Sequence, residues 1–343
     1  MPCTRACLLS LVPLWVACAP DASDDASARD LPSGQEWVHD PSRLVQEGDE
    51  WAFYGSGTEG MALTRSVVDL EHGTVRATEG LAADSLADGW WRTIQEWNPT
   101  GEFDAPTISD DGAFLAFTVF DEDNGELRDA TGLATRTADG FAAAGVLLAS
   151  DGEAFDTPRA MDASFVTTPN ATFLVFGSHA GGIYVTELDP NTGLLLDDGE
   201  TPETGVASER FIQVAQDVEA GIEAPYIHEH NDAYYLFANK GRCCSGVDST
   251  YAVVMGRASH IEGPYLDASG KDLLHGGGSL FLATSDRFIG PGHVGIRDTP
   301  DGEVVGFHFY DGDDRGISKY ALHNMTWEDG WPVVGTLQAT HTP

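Results

Sequence analysis

The sequence predicts an all-β fold built from repeated blades, a five-bladed β-propeller, and three observations predict it. Short apolar runs rich in aromatic and β-branched residues recur along the chain: Trp51-Ala52-Phe53-Tyr54-Gly55, Phe114-Leu115-Ala116-Phe117-Thr118, Phe173-Leu174-Val175-Phe176-Gly177 and Tyr234-Tyr235-Leu236-Phe237-Ala238. Such runs favour strands over helices. Turn clusters such as Asp110-Asp111-Gly112, Asp121 to Gly125 and Asp301-Gly302 separate them. Finally, related acidic openings at Asp40, Asp104, Asp162 and Glu223 each precede one run, giving a unit of roughly 60 residues, a period that belongs to blades or solenoids.

Taken in order, the first unit opens at His39-Asp40, the second near Ala105, the third at Asp162, the fourth at Glu223 and the fifth near His293-Val294-Gly295-Ile296. A radial arrangement of four-stranded sheets leaves short, protected edges and gathers the ends of the first strands around a central channel. A two-sheet sandwich satisfies the same periodicity, because periodicity alone does not fix closure. The segment Leu81 to Glu102, with Trp90, Trp91 and Trp97, fits the period poorly and is expected to be a long connection near the active face.

The chain has 343 residues and a formal net charge of −37, from 55 acidic against 18 basic residues. That balance excludes long-range attraction to nucleic acid or anionic lipid and suits a neutral substrate. It is also the balance of a salt-adapted or very soluble exported protein. With 16 Phe, 9 Tyr and 8 Trp, there are more aromatic side chains than a minimal core requires, so some are expected to line a ligand surface.

Residues 1–18 read as an export signal: Arg5 precedes an apolar run from Leu8 to Val16 that is too short to span a bilayer. Leu14-Trp15-Val16-Ala17-Cys18 resembles a bacterial lipoprotein cleavage box, which implies lipidation of Cys18 and membrane attachment in the cell envelope. Ordinary cleavage nearby, giving a secreted or periplasmic protein, is the alternative. Residues 19–35, rich in Asp, Ala and Ser, are expected to be a flexible acidic linker, and residues 36–343 the five-bladed propeller domain. Of five cysteines only Cys243 and Cys244 fall in that domain, either as a vicinal disulfide or as two buried thiols. Gly276-Gly277-Gly278 lacks a following phosphate-binding helix pattern and reads as a turn.

The fourth unit is the most specific stretch. Glu223-Ala224-Pro225-Tyr226-Ile227, Tyr234-Tyr235-Leu236-Phe237, Cys243-Cys244-Ser245-Gly246-Val247-Asp248-Ser249-Thr250-Tyr251, Gly256-Arg257 and Gly263-Pro264-Tyr265 follow one another as in glycoside hydrolase family 43, and most closely as in its endo-arabinanases. His39-Asp40-Pro41-Ser42, Gly177-Ser178, Gly182-Ile183, Gly290-Pro291-Gly292-His293 and Gly330-Trp331-Pro332 extend the resemblance from Trp37 to about Val334.

The resemblance implies an inverting hydrolase of α-1,5-linked arabinan, endo-acting if the cleft is open at both ends, with no organic cofactor; the alternatives are an exo-acting arabinofuranosidase or β-xylosidase of the same family, and a non-catalytic glycan-binding propeller lipoprotein. Asp40 would be the general base and Glu223 the general acid, while Asp162 would raise the acidity constant of Glu223 and orient it. The chemistry requires such a set: inversion needs an ionised carboxylate to activate water on one face of the sugar and a protonated carboxyl on the other. A nearby anion disfavours ionisation of a second carboxyl. The resemblance further implies a calcium or other ion in the channel reached through His293, for which a hydrogen-bonded core histidine is the alternative reading.

Substrate contacts are expected from His39, Phe53, Phe103, Asp104 and Ser178, with a purely structural role the alternative for Phe53 and Phe103. Asp104 departs from the family, which commonly has Trp there, and Arg159 is a second departure expected near the subsites. His228 and His230 follow Glu223 by odd steps along one strand, and no shared metal site is expected there.

Overall fold

The computed structural model describes residues 37–58, 61–87, 101–123, 126–150, 158–196 and 210–341. The expected signal and linker, and Trp90, Trp91 and Trp97 of the long connection, lie outside the described residues.

Five four-stranded antiparallel blades follow one another along the chain. The first comprises β1 (Val45–Glu47), β2 (Glu50–Thr58), β3 (Met61–Asp69) and β4 (Thr74–Leu81), and the second β5 (Asp104–Ile108), β6 (Phe114–Asp123), β7 (Glu126–Thr137) and β8 (Gly140–Ser150). The third holds β9 (Ser164–Thr167), β10 (Thr172–Phe176), β11 (Ile183–Leu188) and β12 (Ile212–Ala215). The fourth holds β13 (Glu223–His230), β14 (Ala233–Lys240), β15 (Ala252–Ala258) and β16 (Ser279–Leu282), and the fifth β17 (Phe288–Thr299), β18 (Gly302–Asp311), β19 (Ile317–Glu328) and β20 (Trp331–Thr340). First strands of adjacent blades meet at the centre, β5 beside β9, β9 beside β13 and β13 beside β17. This is the expected propeller, and the sandwich alternative is discarded.

The reason the strand runs are apolar throughout lies between the blades. Alternate side chains of a strand point to opposite faces, and here both faces are covered by a neighbouring blade. Along β6, Leu115 and Phe117 enter the core shared with the first blade, whereas Ala116 enters the core shared with the third. Along β14, Tyr235 and Phe237 face the fifth blade, and Leu236 and Ala238 face the third. Five apolar clusters result, one in each gap between consecutive blades. Each fully buried large side chain contributes about 1.5–3 kcal/mol relative to exposure.

The ring closes between the fifth blade and the first. Val38 N donates to Ser318 O at 3.1 Å, Ser318 Oγ donates to Val38 O at 2.5 Å, and Thr340 of β20 bridges Thr74 of β4 in parallel register. Phe53 stacks on Tyr320 across the same seam, with ring centroids 4.0 Å apart. Inside the ring, the buried Arg43 guanidinium ties three blades together. It donates from Nε to Ile108 O (3.1 Å) and from Nη2 to Phe165 O (3.0 Å), and pairs through Nη1 with Asp110.

Two sequence expectations fail here. Phe53 and Phe103 were expected to touch sugar, yet both are fully buried. Phe53 belongs to the seam core and Phe103 stacks on Phe117 at 4.7 Å in the gap between the first two blades. Packing between blades consumes them. Arg159, expected near the subsites, is likewise fully buried and paired with Asp129 beneath the blade surface.

Candidate active site

Each blade enters the channel through one residue in the left-handed region: Asp40 (φ 44°), Ala105 (45°), Asp162 (53°), Ala224 (49°) and His293 (54°). An L residue held there costs on the order of 1–3 kcal/mol, so five such residues need partners. Four of their N–H groups find one on the second strand of the preceding blade. Ala105 N donates to Ser56 Oγ (3.2 Å), Asp162 N to Thr118 Oγ1 (3.1 Å), His293 N to Asn239 Oδ1 (3.0 Å) and Asp40 N to His308 Nδ1 (3.2 Å).

The third blade breaks the pattern, and the break builds the site. Gly177 stands where the others carry a polar side chain, since its N–H bonds Met161 O as that of Ser56 bonds His39 O. A Cβ at Gly177 would lie 2.2 Å from Gly182 O, and its φ is 122°, so the position cannot carry an acceptor. The Ala224 N–H therefore donates to Asp162 Oδ2 instead, at 3.1 Å, which fixes the Asp162 carboxyl beside Glu223.

This geometry also refines the repeat. Asp40 and Asp162 are themselves the left-handed residues, whereas Glu223 precedes one, as Asp104 precedes Ala105. The three acids expected at matching positions occupy two adjacent positions of the repeat, and Asp104 shares that of Glu223.

Asp40 lies among three imidazoles. Its Oδ2 is 2.9 Å from His39 Nδ1 and accepts from Ser56 Oγ at 3.1 Å; its Oδ1 is 3.4 Å from His293 Nδ1 and 3.6 Å from His308 Nδ1. Burial opposes ionisation, but the charge of His39 and the hydrogen bond from His293 outweigh it, so Asp40 is held well below the usual carboxylate range.

Asp162 goes the other way. Burial, then the neighbouring Glu223 carboxyl, push it up to about 7. Glu223 Oε2 accepts from Ser178 Oγ at 3.1 Å and lies 3.5 Å from His179 Nδ1, and the Tyr251 phenol is pushed well up by burial and then by the charge of Glu223. Asp104 is pushed up to about 8, first by burial and then by the charge of Asp40.

Asp40, Asp104, Asp162, Glu223 and His293 thus face one channel mouth, each from a different blade. His39 joins them, bonded through Nε2 to Tyr310 Oη (2.9 Å) and stacked between Trp37 and His308. Ser178 contacts the Glu223 carboxyl, so what it holds in place is an acid. Cys243 and Cys244 form a disulfide at this rim, 3.7 and 3.9 Å from His39 Nε2.

Sequence reasoning missed His308, Tyr310, Tyr251 and Asn239. A signal existed for one of them: Asn239 occupies the polar step that ends an aromatic run in the second strand, as Ser56 and Thr118 do, whereas His308 lies inside Phe307-His308-Phe309-Tyr310. His293 is bonded to Asp40 and lies outside every cluster of three ligating side chains among the described residues. It therefore offers one nitrogen where calcium prefers six to eight oxygens.

Paired carboxyl groups of opposed acidity at the mouth of a five-bladed propeller define a glycoside hydrolase. The sequence profile described as glycosyl hydrolases family 43 matches residues 91–332, and the chain belongs to that family. It is 30% identical over 317 residues to the extracellular endo-α-(1→5)-L-arabinanase 1 of Bacillus subtilis, covering 88% of each chain. An extracellular exo-α-(1→5)-L-arabinofuranosidase of Cellvibrio japonicus is 34% identical over 185 residues, 52% of each chain. Among solved structures, the family 43 endo-arabinanase of Bacillus licheniformis superposes with a TM-score of 0.72 at 30% identity, over 88% of this chain and 98% of that one.

Proposed function

We propose that the protein is an inverting hydrolase that cleaves α-1,5-linked arabinan at internal bonds. The observation that carries this reading is the opposite drive on two carboxyl groups in one funnel, Asp40 well below its ordinary value and Asp162 up to about 7 beside Glu223. Environments that push two acids apart assign a base and a proton source.

Asp40, ionised, takes a proton from the water that attacks the anomeric carbon. Glu223 delivers a proton to the departing glycosidic oxygen, so the carbon–oxygen bond breaks with a neutral leaving hydroxyl. Asp162, anchored by the Ala224 N–H and itself pushed up to about 7, stands against Glu223 and fixes the geometry of that carboxyl. His39 and Asp104 line the same mouth and would bond sugar hydroxyls. The substrate class is supported by the endo-arabinanase relatives, which match along most of the chain.

A calcium ion in the channel would have to be held largely through water, because the His293 Nδ1 is turned to Asp40. No step is assigned to it. Export and lipid attachment at Cys18 rest on the sequence of residues 1–18 and on relatives described as extracellular; the mass of the mature N-terminal peptide, wild type against Cys18→Ala, tests them.

The assay is debranched arabinan with wild type, Glu223→Gln and Asp40→Asn. Oligosaccharides of mixed length are expected from wild type, and losses of about 10²–10⁴-fold from each variant. Activity surviving both substitutions contradicts the mechanism. Release of arabinose alone contradicts internal cleavage.

A further inference from the structure

The far end of β13 carries a second convergence of ligating groups that the hydrolytic site does not use. His228 and His230 stand two residues apart on the strand, so both side chains leave the same face. No shared metal site was expected here, because the sequence does not show what the two side chains meet. Both meet Glu303 of β18, in the next blade: His228 Nε2 lies 2.9 Å and His230 Nδ1 3.2 Å from the same oxygen, Oε1. One nitrogen from each imidazole and one carboxylate oxygen all fall within 4.8 Å of one another. Tetrahedral ligands at zinc–nitrogen and zinc–oxygen distances stand about 3.3 Å apart, so small rotations of these side chains admit an ion.

We infer that His228, His230 and Glu303 form a binding site for a borderline divalent transition ion such as Zn²⁺, clamping the fourth blade to the fifth.

Three further features fit this assignment. The donor set, two imidazole nitrogens and one carboxylate oxygen, is one that zinc takes with water in the fourth position. The side chains are 11%, 23% and 14% exposed, enough for an ion to enter and keep that water. The surroundings also orient the ligands: Trp327 Nε1 donates to Glu303 Oε2, the other oxygen, and the Trp327 ring stacks on His230 with centroids 3.7 Å apart. Asn231 Nδ2 donates to His230 Nε2 at 2.8 Å; with the ion on Nδ1 that amide would turn over and accept the ring proton. Such outer partners hold ring and tautomer in metal sites.

His228 is five residues beyond Glu223 on the same strand, about 16 Å away at strand rise. The clamp is thus separate from hydrolysis, and the inference does not rest on the hydrolase reading. Five blades whose contacts are chiefly apolar would gain a polar tie at the gap between the fourth and fifth.

The full chain, stripped with a chelator and dialysed, is titrated with Zn²⁺ at pH 7.5 by calorimetry, with Ca²⁺ in a parallel arm and melting followed in both. One Zn²⁺ per chain and a rise in Tm are expected, with no response to Ca²⁺. His230→Ala and Glu303→Gln, each folded by circular dichroism, should weaken Zn²⁺ at least tenfold and abolish the Tm rise while arabinan hydrolysis in the absence of zinc stays at the wild-type rate. Wild type that takes up no stoichiometric Zn²⁺ overturns the inference. So does binding that persists equally in both variants, which would place the ion elsewhere, for instance at His39, Asp40 and His308.

Discussion

At Asp104 the chain puts a carboxyl where its family commonly has an indole, and the surroundings make that acid hard to ionise. Its ordinary value of 3.8 rises to about 8 through burial and the charge of Asp40. Below about pH 3 both folded and unfolded chains hold the proton, so the group is neutral in its effect. As pH rises the unfolded chain releases it first, and the folded state loses stability until about pH 8, above which the penalty is constant. Asp104→Asn should therefore leave Tm unchanged below about pH 3 and raise it increasingly from there up to pH 8. A flat difference across that range would contradict the assignment. Asp162 makes a kinetic prediction of the same kind: its own proton is lost as pH rises through about 7, which places a charge beside the proton donor, so kcat should fall on the alkaline side. Asp162→Asn should move that limb as well as lower the rate, measured as a pH profile on debranched arabinan.

At the scale of the element, the repeated unit is a turned residue whose N–H is received by the preceding blade. Asn239 shows the dependence most plainly, being fully buried, accepting the His293 N–H and donating from Nδ2 to Pro291 O at 3.2 Å. Asn239→Ala leaves both groups unpaired and should cost about 1–3 kcal/mol in chemical denaturation, with a loss of activity through displacement of His293 from Asp40. Gly177→Ala would force a Cβ into the Gly182 carbonyl and should destabilise by an amount of the same order. Strands and blade order were legible in the sequence because apolar runs and turn clusters repeat. The direction of Phe53 and Phe103 was not, because an aromatic in or next to a strand can face the channel or the gap between blades, and only the register of each strand decides. His308 escaped notice for the same reason: its partner Asp40 is 268 residues away.

For the whole molecule, the acids that converge at one mouth were legible as motifs, whereas the zinc clamp proposed at the other end needed tertiary proximity between β13 and β18. The net charge of −37 bears on the entire ring rather than on the site. Like charges on a closed propeller repel one another, and salt screens that repulsion within a Debye length of about 10 Å at 0.1 M. Tm should rise between low salt and 1 M NaCl; a fall would indicate that surface ion pairs such as that of Arg76 with Glu50 outweigh net repulsion.

The central claim is that water held by Asp40 attacks the sugar opposite a proton delivered from the Glu223 and Asp162 pair. Proton NMR of the first product released from debranched arabinan tests it most directly, read before mutarotation. The account predicts that the new reducing end appears first as the β anomer, inverted from the α linkage; first appearance of the α anomer would contradict it.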